Sequence, residues 1–185
     1  MSALKIILII IIGLILIVLA LAWNYGLFSS VAVVDRIEGG FKVVGLEYTG
    51  AYSKSGEFMA ETDKKLSASG ISCSKGFGIY YDNPKMVEAE KCRSYLGGII
   101  EEKDYGKISD LVSKGFKVDS ITTAPSAVVE FPLKGSLSYM IGAMKAYPAI
   151  DKFMKEKLYQ PAQAIEIYSV QEGKIIYVFQ YSAPK

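Results

Sequence analysis

The chain has 185 residues, a formal net charge of +2 from 21 basic and 19 acidic side chains, and no histidine. The lack of histidine excludes Ser-His-Asp and Cys-His catalysis, haem held by an axial histidine and most zinc sites. The balanced charge, with no Lys/Arg block, gives no electrostatic reason to expect a nucleic-acid partner. We therefore expect no nucleic acid, no metal ion and no cofactor.

An uninterrupted apolar run, residues 6–22, opens the chain. Extended to residues 4–23, it predicts a helix of about 20 residues and roughly 30 Å, which matches the hydrocarbon core of a bilayer. Lys5 lies at one end of this helix, and Trp23 and Tyr25 lie at the other, where interfacial aromatic side chains are common. The pattern predicts a transmembrane helix that contacts the lipid bilayer through residues 4–23.

A cleaved signal peptide is the competing interpretation, because Ala20-Leu21-Ala22 has the small-x-small form of a cleavage site. The run is longer than the usual ~7–15-residue apolar region of such peptides, which favours a retained signal-anchor.

About 160 residues remain, enough for one domain with its own core. We predict an anchor and tether at residues 1–30 and one domain at residues 31–185.

The rest of the chain predicts strands with interspersed helices. Turn signals separate them, among them Asp82-Asn83-Pro84 and the hairpin loop Gln171-Glu172-Gly173. The predicted elements are a strand at 41–52, a helix at 55–70, strands at 76–81 and 92–100, a short helix at 104–115, a strand at 126–133, a helix at 137–146 that Pro148 interrupts and restarts, and a hairpin of 164–170 with 174–181.

The two halves of this order look like a duplication. LEYTG matches VEFPLKG, which aligns Glu47 with Glu130, and FGIYYD matches IEIYSV, which aligns Gly78 with Glu166. The pattern predicts an α+β fold of two strand-helix-strand-strand units, joined into one antiparallel sheet with the helices on one face.

Strand alternation divides the side chains of this sheet between two faces. We expect Ile165 and Ile167 to point toward the helices, so that Glu166 and Tyr168 point away from them. Carboxylates among aromatic rings suit a flat or cationic amphipathic ligand, although an ordinary solvated sheet face has a similar composition. The side chains expected on the face away from the helices are Glu47, Glu130, Glu166, Tyr80, Tyr168, Tyr95 and Tyr177.

Cys73 and Cys92 form no metal-binding motif. A disulfide between them and two separate buried thiols both agree with the sequence.

One long segment, IYYDNPKMVEAEKCRSYLGGII at residues 79–100, resembles the testis-expressed protein 264 family. GFKV, AIDKFMKEK and IEIY fit the same family in the same order. Its members are membrane-anchored and resemble the DNA gyrase inhibitor-like (GyrI-like) small-molecule-binding superfamily. The resemblance implies the duplicated fold described above, a cytosolic domain with reduced thiols, and an endoplasmic reticulum membrane in a eukaryote. It also implies a cleft with an acidic residue near its base, a position that Glu166 matches.

Vertebrate members of that family are receptors for selective autophagy of the endoplasmic reticulum, a role that depends on a long disordered tail with a short aromatic-x-x-aliphatic motif. The sequence ends at its last predicted strand, so we do not expect the receptor role to extend to it.

Two hypotheses of function follow. The first is a non-catalytic, membrane-anchored module that binds a small amphipathic or cationic ligand or a protein partner. The second is a small-molecule hydrolase with Glu166 as general base, which would require burial to raise the pKa of that carboxyl group. We favour binding without catalysis and expect no catalytic residues, because no dedicated nucleophile is visible. The predicted ligand-binding residues are Glu166, Tyr168, Glu47, Glu130 and Tyr80.

Overall fold

The computed structural model describes residues 2–182. The outer ends of the predicted anchor and domain, residues 1 and 183–185, lie outside the described residues. The helices are α1 (Ala3–Asn24), α2 (Ser55–Ala68), α3 (Ile108–Ser113) and α4 (Leu137–Lys157). The strands are β1 (Val34–Glu38), β2 (Phe41–Thr49), β3 (Gly76–Tyr80), β4 (Arg93–Ile100), β5 (Lys117–Ile121), β6 (Ala124–Pro132), β7 (Gln160–Ser169) and β8 (Lys174–Ser182).

All of these strands form one 8-stranded antiparallel sheet in the order β1-β6-β8-β7-β3-β4-β2-β5. The predicted α+β fold class is confirmed. The units β2-α2-β3-β4 and β6-α4-β7-β8 lie on either side of the β3–β7 junction, as a duplication requires. Gly78 and Glu166, which the internal repeat aligns, are paired directly across this junction.

The sequence did not predict β1 and β5, which are the two edge strands. Each precedes one repeat unit but pairs with the other, because β1 adds to β6 and β5 adds to β2. Their sequences, VDRIE and KVDSI, are short and lack an extended apolar alternation. The repeat units therefore exchange their first strands.

The curled sheet buries apolar side chains on both of its faces. On the helix face, α4 packs Ile150 against Val129 and Phe131, and α2 packs Leu66 against Val44. On the other face, strand side chains pack only against one another. This strand-only core contains Val43, Phe77, Ile79, Tyr95, Ile121, Val128, Ile165, Ile167, Ile176 and Val178.

Helix α4 runs without a break through Pro148, so the predicted restart is wrong. The proline ring removes one N–H donor, which leaves the Met144 carbonyl without its helical partner. Met144 and Pro148 are both exposed, and water can satisfy that carbonyl. The helix instead ends at Leu158, which adopts a left-handed conformation with φ 58°.

Helix α1 is long and apolar enough to cross a membrane, and none of its residues is buried against the domain. A signal sequence near the N-terminus can meet the same criteria of length and apolar composition. The residues after α1 contact the domain: Tyr25 packs against the core beneath α4, and Lys145 Nζ donates to the carbonyl of Ser29 at 2.6 Å. The predicted tether is therefore attached to α4.

Both cysteines are free thiols. Cys92 is buried and Cys73 is partly buried. Burial raises the pKa of Cys73 to about 11, so this thiol is protonated at neutral pH.

Candidate functional site

The candidate site is built around Glu166, a buried carboxylate in the middle of β7 that is 8% exposed. Each of its oxygens accepts a hydrogen bond from a tyrosine. Tyr147 of α4 donates to Oε1 at 2.6 Å, and Tyr168 of β7 donates to Oε2 at 2.8 Å. A helix and a strand thus hold the carboxylate between two phenols.

Burial raises the pKa of Glu166, and the hydrogen bonds from Tyr147 and Tyr168 oppose that rise because they favour the charged form. Burial and the neighbouring carboxylate also raise the pKa of both tyrosines, so both remain donors at neutral pH. Within residues 2–182, Glu166 forms no ion pair with a lysine or arginine. Its ionised form is stabilised by neutral donors alone.

The hydrogen-bond network continues from the carboxylate to the other repeat unit. The hydroxyls of Tyr168 and Tyr80 lie 2.9 Å apart, and the Tyr80 hydroxyl lies 3.4 Å from that of Ser55 in α2. Burial raises the pKa of Tyr80 to about 12. Side chains from α4, β7, β3 and α2 thus form one polar network across the β3–β7 junction.

An open groove of ≈ 2220 Å³ lies above this network, between α2 and α4. Its floor includes Glu166, Tyr168 and Gly76 of β3, and the Cys73 side chain fills the space above Gly98 of β4. Its walls are aromatic and methionine-rich, which suits ligands of irregular apolar shape. The wall side chains include Met59, Tyr80, Tyr139, Met140, Met144, Tyr147, Met154 and Phe179.

The structure brings together three of the predicted ligand-binding residues, Glu166, Tyr168 and Tyr80. They face the helices, so the expectation that they point away from them is wrong. The reason lies in Ile165 and Ile167, which are buried in the strand-only core rather than beneath the helices. Of the two further tyrosines, Tyr95 lies in the strand-only core, as expected, whereas Tyr177 packs beneath α4.

Glu47 and Glu130 do not join this cluster. Glu47 faces the same side as its cross-strand partner Tyr95, and Lys117 Nζ donates to it at 2.7 Å. Glu130 forms ion pairs with Arg36 and Lys174, both at 3.1 Å. The predicted set of five residues therefore does not line one cleft, because two of its carboxylates lie on the opposite sheet face with cationic partners.

Tyr147 is the contact of Glu166 that sequence reasoning missed. Its signal was weak, because it lies just before Pro148, where we predicted an interruption of the helix. A continuous α4 places Tyr139, Ala143 and Tyr147 at spacings of four, on the side that lines the groove.

No group of three or more His, Cys, Asp or Glu side chains suited to a metal ion occurs among residues 2–182.

Comparison with known proteins found similarity in sequence and in fold. The chain is 33% identical over 179 residues to human testis-expressed protein 264, covering 88% of this chain and 52% of that protein. It is 32% identical over 132 residues to the mouse homologue, covering 65% of this chain and 39% of that protein. The chain thus spans about half or less of the length of these curated relatives. No family model matches.

Two solved structures share the fold. One is the EcmrR C-terminal domain, with a TM-score of 0.56, 12% identity, and coverage of 83% of this chain and 99% of that one. The other is EcmrR in a complex with DNA, with a TM-score of 0.59, 13% identity, and coverage of 94% of this chain and 65% of that one. At such identities the similarity concerns the fold alone.

Proposed function

We propose that this protein is a non-catalytic binding module for a small cationic amphiphile, held at a membrane by α1. The observation that carries the proposal is the environment of Glu166. It is a buried carboxylate at the floor of an aromatic, methionine-rich groove, and in residues 2–182 it has two phenol donors but no cationic partner.

An ionised carboxylate without a counter-charge is costly to bury, because neutral donors replace only part of its lost hydration. A cationic ligand in the groove would supply the missing charge. A carboxylate has about four acceptor sites, so Glu166 can accept from a ligand while it keeps its hydrogen bonds to Tyr147 and Tyr168. The rings of Tyr139 and Tyr168, which pack edge to face, line the same groove, and aromatic rings attract cations.

The resemblance to the GyrI-like superfamily supports this proposal, since its members bind small molecules in a cleft with an acidic residue near its base. The fold shared with the EcmrR C-terminal domain agrees with such a cleft. Similarity to testis-expressed protein 264 supports an anchored domain that faces the cytosol, with an endoplasmic reticulum membrane as the proposed location. We do not extend an autophagy receptor role to this chain.

The test is a binding screen of aromatic alkylammonium compounds with an N–H donor against the full chain in detergent, each beside a neutral analogue with carbon in place of the charged nitrogen. We expect binding of the cation and not of its neutral analogue. Glu166→Gln keeps the side-chain size and removes the charge, so it should weaken binding by roughly 1.5–3 kcal/mol, or about 10–150-fold. Tyr168→Ala should weaken binding as well.

Glu47→Gln is the matched control, since it removes a carboxylate from the opposite sheet face and should leave affinity unchanged. If no compound binds, or if binding is indifferent to Glu166→Gln and Tyr168→Ala, the proposal fails. A protein partner on the groove would then be the better hypothesis.

The raised pKa of Glu166 is the one observation that favours the hydrolase hypothesis, because a general base needs a pKa nearer neutrality. Turnover of an aromatic ester that requires Glu166 would support it. Ligand that is recovered unchanged after long incubation would support binding alone.

A further inference from the structure

Helix α4 has an exposed apolar rim that no described residue covers. We define this rim as Leu137, Met140 and Met144, which are 46%, 57% and 62% exposed. Their spacing of three and four residues places them on one side of the helix. Met140 and Met144 also line the groove, so the rim forms one edge of its opening.

The start of α4 is held against the end of α1. The Tyr25 hydroxyl lies 2.8 Å from the position that a Cβ on Gly135 would occupy. The Phe131 ring lies 3.3 Å from the position that a Cβ on Gly26 would occupy. Leu137 follows Gly135 by two residues. The rim therefore begins within a few residues of the point where the chain leaves α1.

The length of α1 fixes where this junction would lie relative to a bilayer. Its 22 residues span about 33 Å, slightly more than a hydrocarbon core of ~30 Å. When α1 spans the core, Tyr25 lies in the interfacial layer, as do the exposed rings of Trp23 and Phe28. Gly135, which contacts Tyr25, is then at the same depth or close to it.

The charges around this junction suit the surface of a membrane that contains anionic lipids. Lys134 is exposed beside Gly135, and Lys145 reaches the carbonyl of Ser29. Neither forms an ion pair with an acidic side chain in the described part of the chain. Lysines beside an apolar helix face are typical of segments that lie at the surface of a membrane with anionic lipids.

We infer that the rim of α4 rests on the bilayer into which α1 inserts, so that the groove opens toward the lipid and takes its ligand from the membrane. This inference rests on the proposed function and narrows its ligand class to single-chain cationic amphiphiles dissolved in the bilayer. Such a molecule can slide its apolar chain past Met140 and Met144 while its charged group approaches Glu166. It avoids the full exposure of its chain to water that uptake from solution would require.

Tryptophan quenching tests the position of the rim. The chain has 1 tryptophan, so Trp23→Phe gives a background without one. On this background, Leu137→Trp and Val112→Trp place a reporter on the rim and on the exposed side of α3, which packs on β5 at the far edge of the sheet. The proteins are reconstituted in vesicles of phosphatidylcholine with 20 mol% phosphatidylserine, with phosphatidylcholine brominated near the headgroup as quencher.

We expect strong quenching in the Leu137→Trp protein, none in the Val112→Trp protein, and strong quenching of Trp23 in the unmodified chain. Quenching of Trp23 without quenching of the Leu137→Trp reporter would overturn the inference, since the anchor would be inserted with the rim away from the lipid. Lack of quenching at both positions would overturn it as well, because α1 would not be inserted.

Ligand uptake provides the second measurement. The probe is a fluorescent single-chain primary alkylammonium, supplied either in the vesicles or in detergent micelles. Leu137→Glu puts a charge on the rim outside the groove lining, so it should slow uptake from vesicles by about tenfold and leave affinity in micelles unchanged. Val112→Glu should change neither. Equal uptake rates for Leu137→Glu and the unmodified chain would contradict membrane loading.

Glu166→Gln separates this inference from the proposed function. If it weakens binding in micelles while Leu137→Glu has no effect in vesicles, the groove binds cations but is not loaded from the membrane. If Glu166→Gln has no effect in micelles, the proposed function fails and the inference about its ligand source fails with it.

Discussion

Glu166 links the stability of the ligand-free protein to pH. Its pKa in the folded protein is raised above the ordinary 4.5, so the folded state binds this proton more tightly than the unfolded state does. Its contribution to stability is complete below pH 4.5 and is lost as the pH rises through the folded pKa. Glu166→Gln, which cannot ionise, should therefore be more stable than the unmodified protein at neutral pH.

Urea unfolding at a series of pH values measures this difference. We expect the stability of Glu166→Gln and of the unmodified protein to converge below pH 4.5. Glu47→Gln is the control with the opposite sign, since hydrogen bonding to Lys117 lowers the pKa of Glu47. If the Glu166→Gln protein is less stable than the unmodified protein at pH 7 without ligand, burial does not raise the pKa of Glu166.

The hydroxyl of Tyr168 joins the carboxylate to the rest of the network. Tyr168→Phe removes a donor to Glu166 and a partner of Tyr80, and it should lower the free energy of unfolding by about 1.5–3 kcal/mol, as for hydrogen bonds to charged groups. Tyr139→Phe is a matched control on the adjacent ring, because it deletes a half-exposed hydroxyl. A loss no larger than that of Tyr139→Phe would mean that the network adds little stability.

Sequence reasoning at the residue scale identified the correct members of the site but assigned them to the wrong face. Alternation along IEIY correctly separated Glu166 and Tyr168 from Ile165 and Ile167. It could not reveal which face the helices cover, because both faces of this sheet are buried. The isoleucines fill a strand-only core that exists only because the sheet curls, and curling depends on all the strands together.

At the scale of elements, β2 and β4 are in close contact where Gly45 pairs with Gly97. A Cβ on Gly97 would lie 2.1 Å from the backbone oxygen of Val44, and backbone in the middle of a sheet cannot move aside. Gly97→Ala should therefore destabilise the protein by about 3 kcal/mol or more. Thermal unfolding is a sufficient measurement.

Gly106→Ala is the comparison, because a Cβ there meets nothing within 4 Å. It should be neutral or stabilise the protein by about 0.4–1 kcal/mol through the entropy of the unfolded chain. Similar losses from both substitutions would argue against close contact between β2 and β4.

Most elements were predictable from local sequence, and the failures have specific causes. Alternation and turn residues located β2, β3, β4, β6 and the β7–β8 hairpin, since these strands carry apolar side chains to a core. VDRIE and KVDSI gave no such signal, because an edge strand has only one neighbouring strand and is largely exposed. Pro148 indicated a break, but packing of Ile150 and Met154 in the core stabilises α4 beyond it.

At the scale of the whole molecule, the segment between α1 and β1 is part of the folded domain. Tyr25, which lies in the predicted tether, packs against the core beneath α4, as do Val31 and Val33 at the start of the predicted domain. A domain that begins at Tyr25 should be more stable than one that begins at Val31, by roughly 1–2 kcal/mol for the lost ring contacts. Thermal or urea unfolding of the two truncated proteins measures this difference.

Tyr25→Ala in the longer protein is the control, and it should reproduce most of the loss. If both truncated proteins unfold at the same urea concentration, the segment contributes nothing to the domain, and α1 is attached only by a flexible link.

Because the repeat units exchange their first strands, the sheet can be completed only late in synthesis. Arg36 of β1 contacts Glu130 of β6, 94 residues further along the chain. At ~5–20 residues per second, the ribosome needs about 5–20 s to supply that partner after β1 has emerged. Throughout this interval β1 has no strand to pair with, while the adjacent apolar helix is already available to the membrane. The first repeat also lacks its outer strand β5 for most of that time, so its part of the sheet cannot be completed until the chain has been made as far as Ile121.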